Sequence, residues 1–110
     1  MIENNILGQK NQHILTTWMI NNTTGYKKIR YGLPIAWSAA EKTGGGSGTS
    51  HDIGIVWSPA CNPIVLAIYT FLNKKDNVQQ ADRAIAETAK FIKKSLDPIV
   101  TIYLSLTIRR

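Results

Sequence analysis

The chain has a single cysteine, Cys61, so no disulfide can close within it. No apolar run approaches the roughly eighteen residues that a membrane-spanning helix needs, and no membrane partner is expected. The opening residues Met1, Ile2, Glu3, Asn4 and Asn5 carry neither a basic start nor an apolar export core. The chain as written is therefore expected in the cytoplasm. Acidic residues are few, which leaves a net charge of +6. The basic residues are nevertheless dispersed: Lys27, Lys28 and Arg30; Lys74 and Lys75; Lys90, Lys93 and Lys94; Arg109 and Arg110. No nucleic-acid recognition motif accompanies them, so nucleic acid is not an expected partner. His13, His51, Asp52 and Cys61 show no metal-ligand spacing, and no metal or organic cofactor is implied. Cys61 lies in a turn with no chemical role of its own.

What is present is a core. At 110 residues and 44% hydrophobic composition, the chain suits one small domain. Residues 10–21 read as a helix, with Ile14, Leu15, Trp18 and Met19 on one face. Asn21 to Gly25 end it, Gly25 suiting a left-handed conformation. A helical turn over residues 26–31 stops before Pro34. Strands are expected over residues 36–43, 52–57 and 64–72, the first two forming a hairpin across a glycine-rich run. The third is apolar at nearly every position, which predicts burial on both faces.

A helix over residues 78–96 follows, with Asp76 as its cap and Gln79 closing a capping box. Its apolar stripe is Val78, Ala81, Ile85, Thr88, Ile92 and Leu96. Lys90, Lys93 and Lys94 suit its C-terminal end, where the helix dipole favours cations. Pro98 stops this helix, and residues 99–108 alternate like a strand. The order helix, three antiparallel strands, helix describes an α+β layer arrangement, a helix packed on a sheet.

The sharpest chemical feature is Glu41-Lys42-Thr43-Gly44-Gly45-Gly46. A lysine and a hydroxyl at the end of a strand can hold a carboxylate together, one by charge and one by a directed donor, while glycine admits a ligand to the backbone. Ser50, His51 and Asp52 are triad residue types, but they are consecutive in a strand. Successive side chains point to opposite faces, so His51 cannot bridge its neighbours.

The surroundings of Lys42-Thr43-Gly44 make the chain resemble class A serine β-lactamases, whose Lys-Thr-Gly motif is a standard example. The matching segments are Ile6-Leu7-Gly8, Leu15 to Met19, Asn22-Thr23-Thr24-Gly25 and Ile29 to Pro34. Trp37, His51-Asp52-Ile53 and Pro63 to Tyr69 continue them in the right order. The resemblance implies the C-terminal part of an α/β sandwich over residues 1–97, with a tail of unclear origin over residues 98–110. It implies that Lys42, Thr43 and Gly44 hold a β-lactam carboxylate, and that the Gly45 backbone N–H forms half of an oxyanion hole. Family positions for an additional arginine fall on Ser50, Asp82 and Lys28, of which Lys28 alone is basic; Arg30 is structural.

The same resemblance demands residues that these 110 do not contain. No serine is followed three positions later by lysine, and no Ser-Asp-Asn occurs. The deacylation glutamate of the family also lies upstream of the matched region. The chain is thus expected to bind β-lactam only when complemented by an N-terminal segment, and to be inactive alone. A non-catalytic remnant and a fragment of a penicillin-binding transpeptidase are the alternatives. Full-length family members are periplasmic or secreted. In the family sheet the strand matching residues 64–72 is central, so in this chain it is expected at an edge, open to self-association.

Overall fold

The structure, a computed structural model, describes the backbone of residues 6–59, 63–73, 75 and 77–109, and side chains as far as residue 96. Cys61, read above as a turn residue, and Asp76, read as a helix cap, lie outside the described residues. Helix α1 (Gly8–Ile20) leads into a 3-10 turn (Ile29–Gly32). Strands β1 (Ser38–Gly46), β2 (Thr49–Trp57) and β3 (Ile64–Phe71) follow, then helix α2 (Val78–Arg109). The strands form one antiparallel sheet in the order β1-β2-β3. This is an α/β fragment of three strands flanked by helices, as the sequence predicts. Among the described residues no helix is long and apolar enough to cross a membrane.

Antiparallel pairing sorts the side chains into two faces. Glu41 sits opposite Gly54, Thr43 opposite Asp52, and Gly45 opposite Ser50. Directly paired residues project to the same side, so these six share one face. Ala39, Val56 and Leu66 belong to that face too, and they form the core with Ile29 from the 3-10 turn and Ile85 and Ala89 from α2.

The 3-10 turn and α2 approach so closely that a Cβ on Gly32 would stand 2.0 Å from the Ala86 carbonyl oxygen. Glycine there is a spatial requirement. After the turn, Leu33 is extended (φ −102°, ψ 150°), the conformation that Pro34 imposes on the residue before it.

β1 and β2 extend further toward each other than the sequence pattern suggests. Only Ser47 and Gly48 separate the last ladder pair, Gly46 and Thr49, and Gly48 takes a left-handed φ of 76°. Because the turn is that tight, the glycine run is strand and not loop. Gly25, by contrast, is not left-handed. It is glycine because a Cβ would lie 2.8 Å from the Glu41 carboxylate.

Three further expectations are corrected. β3 is an edge strand, as the absence of its usual neighbour predicts, but it is not buried on both faces. Leu66 faces the core, whereas Val65, Tyr69 and Phe71 are exposed by 60% or more, since on their side α1 packs over β1 and does not reach across to β3. On α1, Ile14, Leu15 and Met19 are half-buried but Trp18 is exposed, because the helix packs chiefly on β1 and its stripe is covered from one side. On α2 the buried stripe is Ala81, Ile85, Ala86 and Ala89, with Val78 and Thr88 exposed. The Ala86 backbone and the Ala89 Cβ are what α2 presents to Gly32.

The ends of α2 differ as well. Its capping box lies one residue later than expected: the Gln80 N–H donates to Asn77 Oδ1 (2.9 Å) and the Asn77 N–H to Gln80 Oε1 (2.7 Å). Pro98 does not end the helix, which continues to Arg109. A strand over residues 99–108 would need a partner for its backbone N–H and C=O groups, whereas a helix satisfies its own. The proline removes one N–H donor from the helical ladder without breaking it. Lys90, Lys93 and Lys94 therefore sit in mid-helix. The dipole, which acts within the last turn, does not explain them.

Candidate functional site

Lys42 and Thr43 leave β1 on opposite faces, so they can address one ligand only around the free edge of the strand. β1 has such an edge, since β2 pairs with its other side. The exposed Lys42 side chain folds back so that Nζ donates to the carbonyl oxygen of Thr43. That contact brings the ammonium to the residue that carries the hydroxyl. Gly44 and Gly45 follow, both exposed. A Cβ on Gly45 would approach the Thr49 carbonyl oxygen to 3.0 Å, so this position is narrow as well as open. Four of the five residues assigned from sequence thus lie consecutively on one accessible strand end.

Lys28, the fifth, is placed differently. Its side chain is buried, and Nζ donates to the His51 carbonyl oxygen (3.1 Å) and lies 4.0 Å from Asp82 Oδ1. His51 is the cross-strand partner of Gly44. The Lys28 charge therefore stands at the level of the motif, on β2 and beside α2, and not beside the Lys42 ammonium. The triad types are dispersed as alternation requires. Ser50 and Asp52 face the core, while the His51 ring packs edge-on against Tyr69, 4.8 Å between centroids.

Beneath the motif lies a polar cluster that sequence reasoning did not assemble. Glu41 and Asp52 are fully buried. Arg30 binds Glu41 through Nε (3.0 Å) and donates through its terminal nitrogens to the carbonyls of Ile20, Asn22 and Ala39. It thereby ties the end of α1 to β1, consistent with its structural assignment. Asp52 Oδ2 accepts the Ile29 N–H at 3.1 Å. Burial pushes the Asp52 carboxyl up to about 8, and a hydrogen bond to Glu41 and the charge of Glu41 add to the rise. The Ile29 N–H and Lys28 oppose it. At neutral pH Asp52 therefore holds a proton and donates it toward Glu41.

Asn22 and Thr24 were also missed as site residues. Asn22 Oδ1 accepts both the Thr24 N–H (3.1 Å) and the Thr24 hydroxyl (2.7 Å), and Thr24 Oγ1 lies 2.6 Å from Thr43 Oγ1. The signals were available: an Asn two residues before a Thr is a turn-former that bonds its own backbone, and Glu41 and Thr43 share a face by strand periodicity.

Comparison with known proteins fits this geometry. The model of the β-lactamase enzyme family matches residues 1–96. A β-lactamase of Bacillus licheniformis is 42% identical over 92 residues, 83% of this chain and 30% of that protein. One from Bacillus subtilis is 44% identical over 93 residues, again 30% of its length. Among solved structures, a β-lactamase from Burkholderia phymatum superposes with a TM-score of 0.76 at 36% identity, over 86% of this chain and 36% of that one. A class A β-lactamase reconstructed as the last common ancestor of Gram-negative bacteria gives 0.76 at 33% identity, over 81% and 34%. The chain spans about a third of the length of the relatives it matches.

Proposed function

Because the chain belongs to the class A β-lactamase family, we propose that it supplies the substrate-carboxylate clamp and one oxyanion donor for β-lactam hydrolysis, the nucleophile coming from a segment other than these 110 residues. The observation that carries this reading is the strand end itself. A cation, a hydroxyl and two glycines stand on a free edge, with the Lys42 ammonium already folded onto Thr43.

A β-lactam carboxylate accepts from Lys42 Nζ and Thr43 Oγ1, and a charge-assisted contact of this kind contributes about 1.5–3 kcal/mol. Lys28, buried at the level of Gly44, adds positive potential without direct contact. With the carboxylate held, the lactam carbonyl reaches the Gly45 N–H. There a donor stabilises the tetrahedral oxyanion by roughly 3–4 kcal/mol once a serine attacks. Collapse of that intermediate breaks the amide C–N bond and leaves an acyl-serine, which water hydrolyses. These residues provide neither the nucleophile nor the base of either step, since no Ser-x-x-Lys is present.

The test has two arms. The purified chain is mixed with, or co-expressed beside, the N-terminal two-thirds of a class A relative, and turnover of a chromogenic cephalosporin is followed. Turnover is expected only with both pieces. A labelled penicillin covalently attached to a serine of the chain alone, seen by mass spectrometry, would overturn the reading. So would a complemented enzyme that does not need residues 42–45.

A further inference from the structure

We infer that Thr24 is a positioning residue that holds the Thr43 hydroxyl proton away from an incoming carboxylate, so that substrate binding requires this proton to turn; the inference rests on the carboxylate-clamp reading above.

The argument is a count of protons. Asn22 Oδ1 accepts the Thr24 backbone N–H at 3.1 Å, and a backbone N–H can only donate. The atom facing it is therefore the amide oxygen, which can only accept. The Thr24 hydroxyl lies 2.7 Å from that same oxygen and must donate to it. A threonine hydroxyl has one proton, and this contact uses it. At the 2.6 Å contact between Thr24 Oγ1 and Thr43 Oγ1, the proton consequently belongs to Thr43.

Thr43 thus spends its only donor on Thr24, and it presents lone pairs to anything else that approaches. A carboxylate needs the opposite. To donate to it, Thr43 must turn its proton outward, and Thr24 loses what it accepted. Thr24 can then leave Asn22 and donate to Thr43, reversing the short chain of hydroxyls, or remain with an unfilled lone pair. Either way the empty site favours the arrangement that is wrong for an anion. One of the three Lys42 ammonium donors is likewise spent internally, on the Thr43 carbonyl.

Removing the competing acceptor should therefore strengthen carboxylate binding, which a purely structural role for Thr24 would not do. Thr24 is exposed, and the turn-forming bond to Asn22 comes from its backbone, so Thr24→Val leaves the loop intact. The measurement is an NMR titration with benzylpenicillin of the full chain complemented by the N-terminal two-thirds of a class A relative whose Ser-x-x-Lys serine is replaced by alanine, following the amides of Thr43, Gly44 and Gly45, with the benzylpenicillin methyl ester as the uncharged control. Thr24→Val is expected to bind the acid about fivefold more tightly than the unaltered chain, the scale of one neutral hydrogen bond. Thr24→Ala should do the same, which covers a folding defect peculiar to valine. Thr24→Ser keeps the hydroxyl and should match the unaltered chain, and the ester should not respond to any of the three.

Equal or weaker acid binding in both Thr24→Val and Thr24→Ala, with the unaltered chain still preferring acid to ester, would overturn this inference alone. Failure of the unaltered chain to prefer acid over ester, together with no effect of Lys42→Ala, would overturn the clamp and this inference with it.

Discussion

Asp52→Asn should remove a loss of stability that the parent chain suffers as pH rises from about 4 to about 8, so the variant's advantage should grow through that window. In the folded chain the Asp52 carboxyl is raised from 3.8 to about 8, chiefly by burial and then by its hydrogen bond to Glu41. Between those limits the folded state holds a proton that the unfolded state has released. Raising the pH through that window strips it from the folded state, so stability falls, by at most about 1.4 kcal/mol per pH unit. The contribution is fully present below 3.8 and lost as pH rises through about 8. From pH 6 to pH 8 the loss from this one group is about 2 kcal/mol.

Asparagine reproduces the neutral acid. Its oxygen can accept the Ile29 N–H as Asp52 Oδ2 does, and its amide can donate toward Glu41 without titrating. Urea unfolding followed by far-UV circular dichroism, with both proteins at the same concentration so that association cancels, measures the difference. The variant's lead over the parent should widen by about 3 kcal/mol between pH 5.5 and pH 8. Profiles that run parallel from pH 6 to pH 8 would refute the shared-proton account. A parent chain that gains stability over the variant as pH rises would refute even its sign.

In the complemented enzyme, Lys42→Ala should lower kcat/KM at least about tenfold, the loss of one charge-assisted contact, while Lys28→Ala should do less; unchanged kinetics in Lys42→Ala would remove Lys42 from the clamp. Gly32→Ala should cost about 1–3 kcal/mol in thermal unfolding, because its Cβ would sit 2.0 Å from the rigid Ala86 carbonyl oxygen and force the 3-10 turn off α2. The purified chain should associate through β3, eluting in a concentration-dependent manner from a sizing column. A sharp monomer peak with slow amide exchange through residues 64–72, persisting after deletion of residues 99–110, would contradict this.

Local chemistry was legible where the sequence itself supplies the partner. The hairpin between β1 and β2, the helix beginning at Val78 and the strand end carrying Lys42 and Thr43 all follow from residues within a few positions of one another. The glycine run could not be assigned to strand from composition, because its pairing depends on a two-residue turn that only the register reveals. The buried carboxyls were hidden for a related reason. Glu41 and Asp52 read as ordinary charged positions until pairing sets them on one face under Arg30 and Ile29. Thr24 is nineteen residues from Thr43, and no periodicity links a loop residue to a strand across that distance.

The failures at β3 and at the tail have different physical origins. β3 is apolar at almost every position, yet Val65, Tyr69 and Phe71 stand exposed on the side away from α2. Leaving such side chains in water forgoes about 1.5–3 kcal/mol each. An apolar pattern on both faces reports a need for cover on both sides, not the cover that a given chain provides. Strand periodicity gave the correct element and the wrong exposure, since exposure depends on what packs against the strand. In the tail, β-branched residues and Pro98 argue for a strand and a break, but a strand is possible only with a neighbour to pair with. Without one, the backbone closes its own hydrogen bonds and α2 runs on to Arg109. The exposed side of β3, with His51 packed against Tyr69 at its centre, is therefore the surface on which the proposed complementing segment gains the most apolar burial. Complementation should bury Val65, Tyr69 and Phe71 while leaving the core face under α2 unchanged. Tyr69→Lys, which places a charge on that side alone, should then weaken assembly of the two pieces without disturbing the α2 contacts. Assembly as tight as with the unaltered chain, measured by titrating one piece against the other, would show that the segment docks elsewhere.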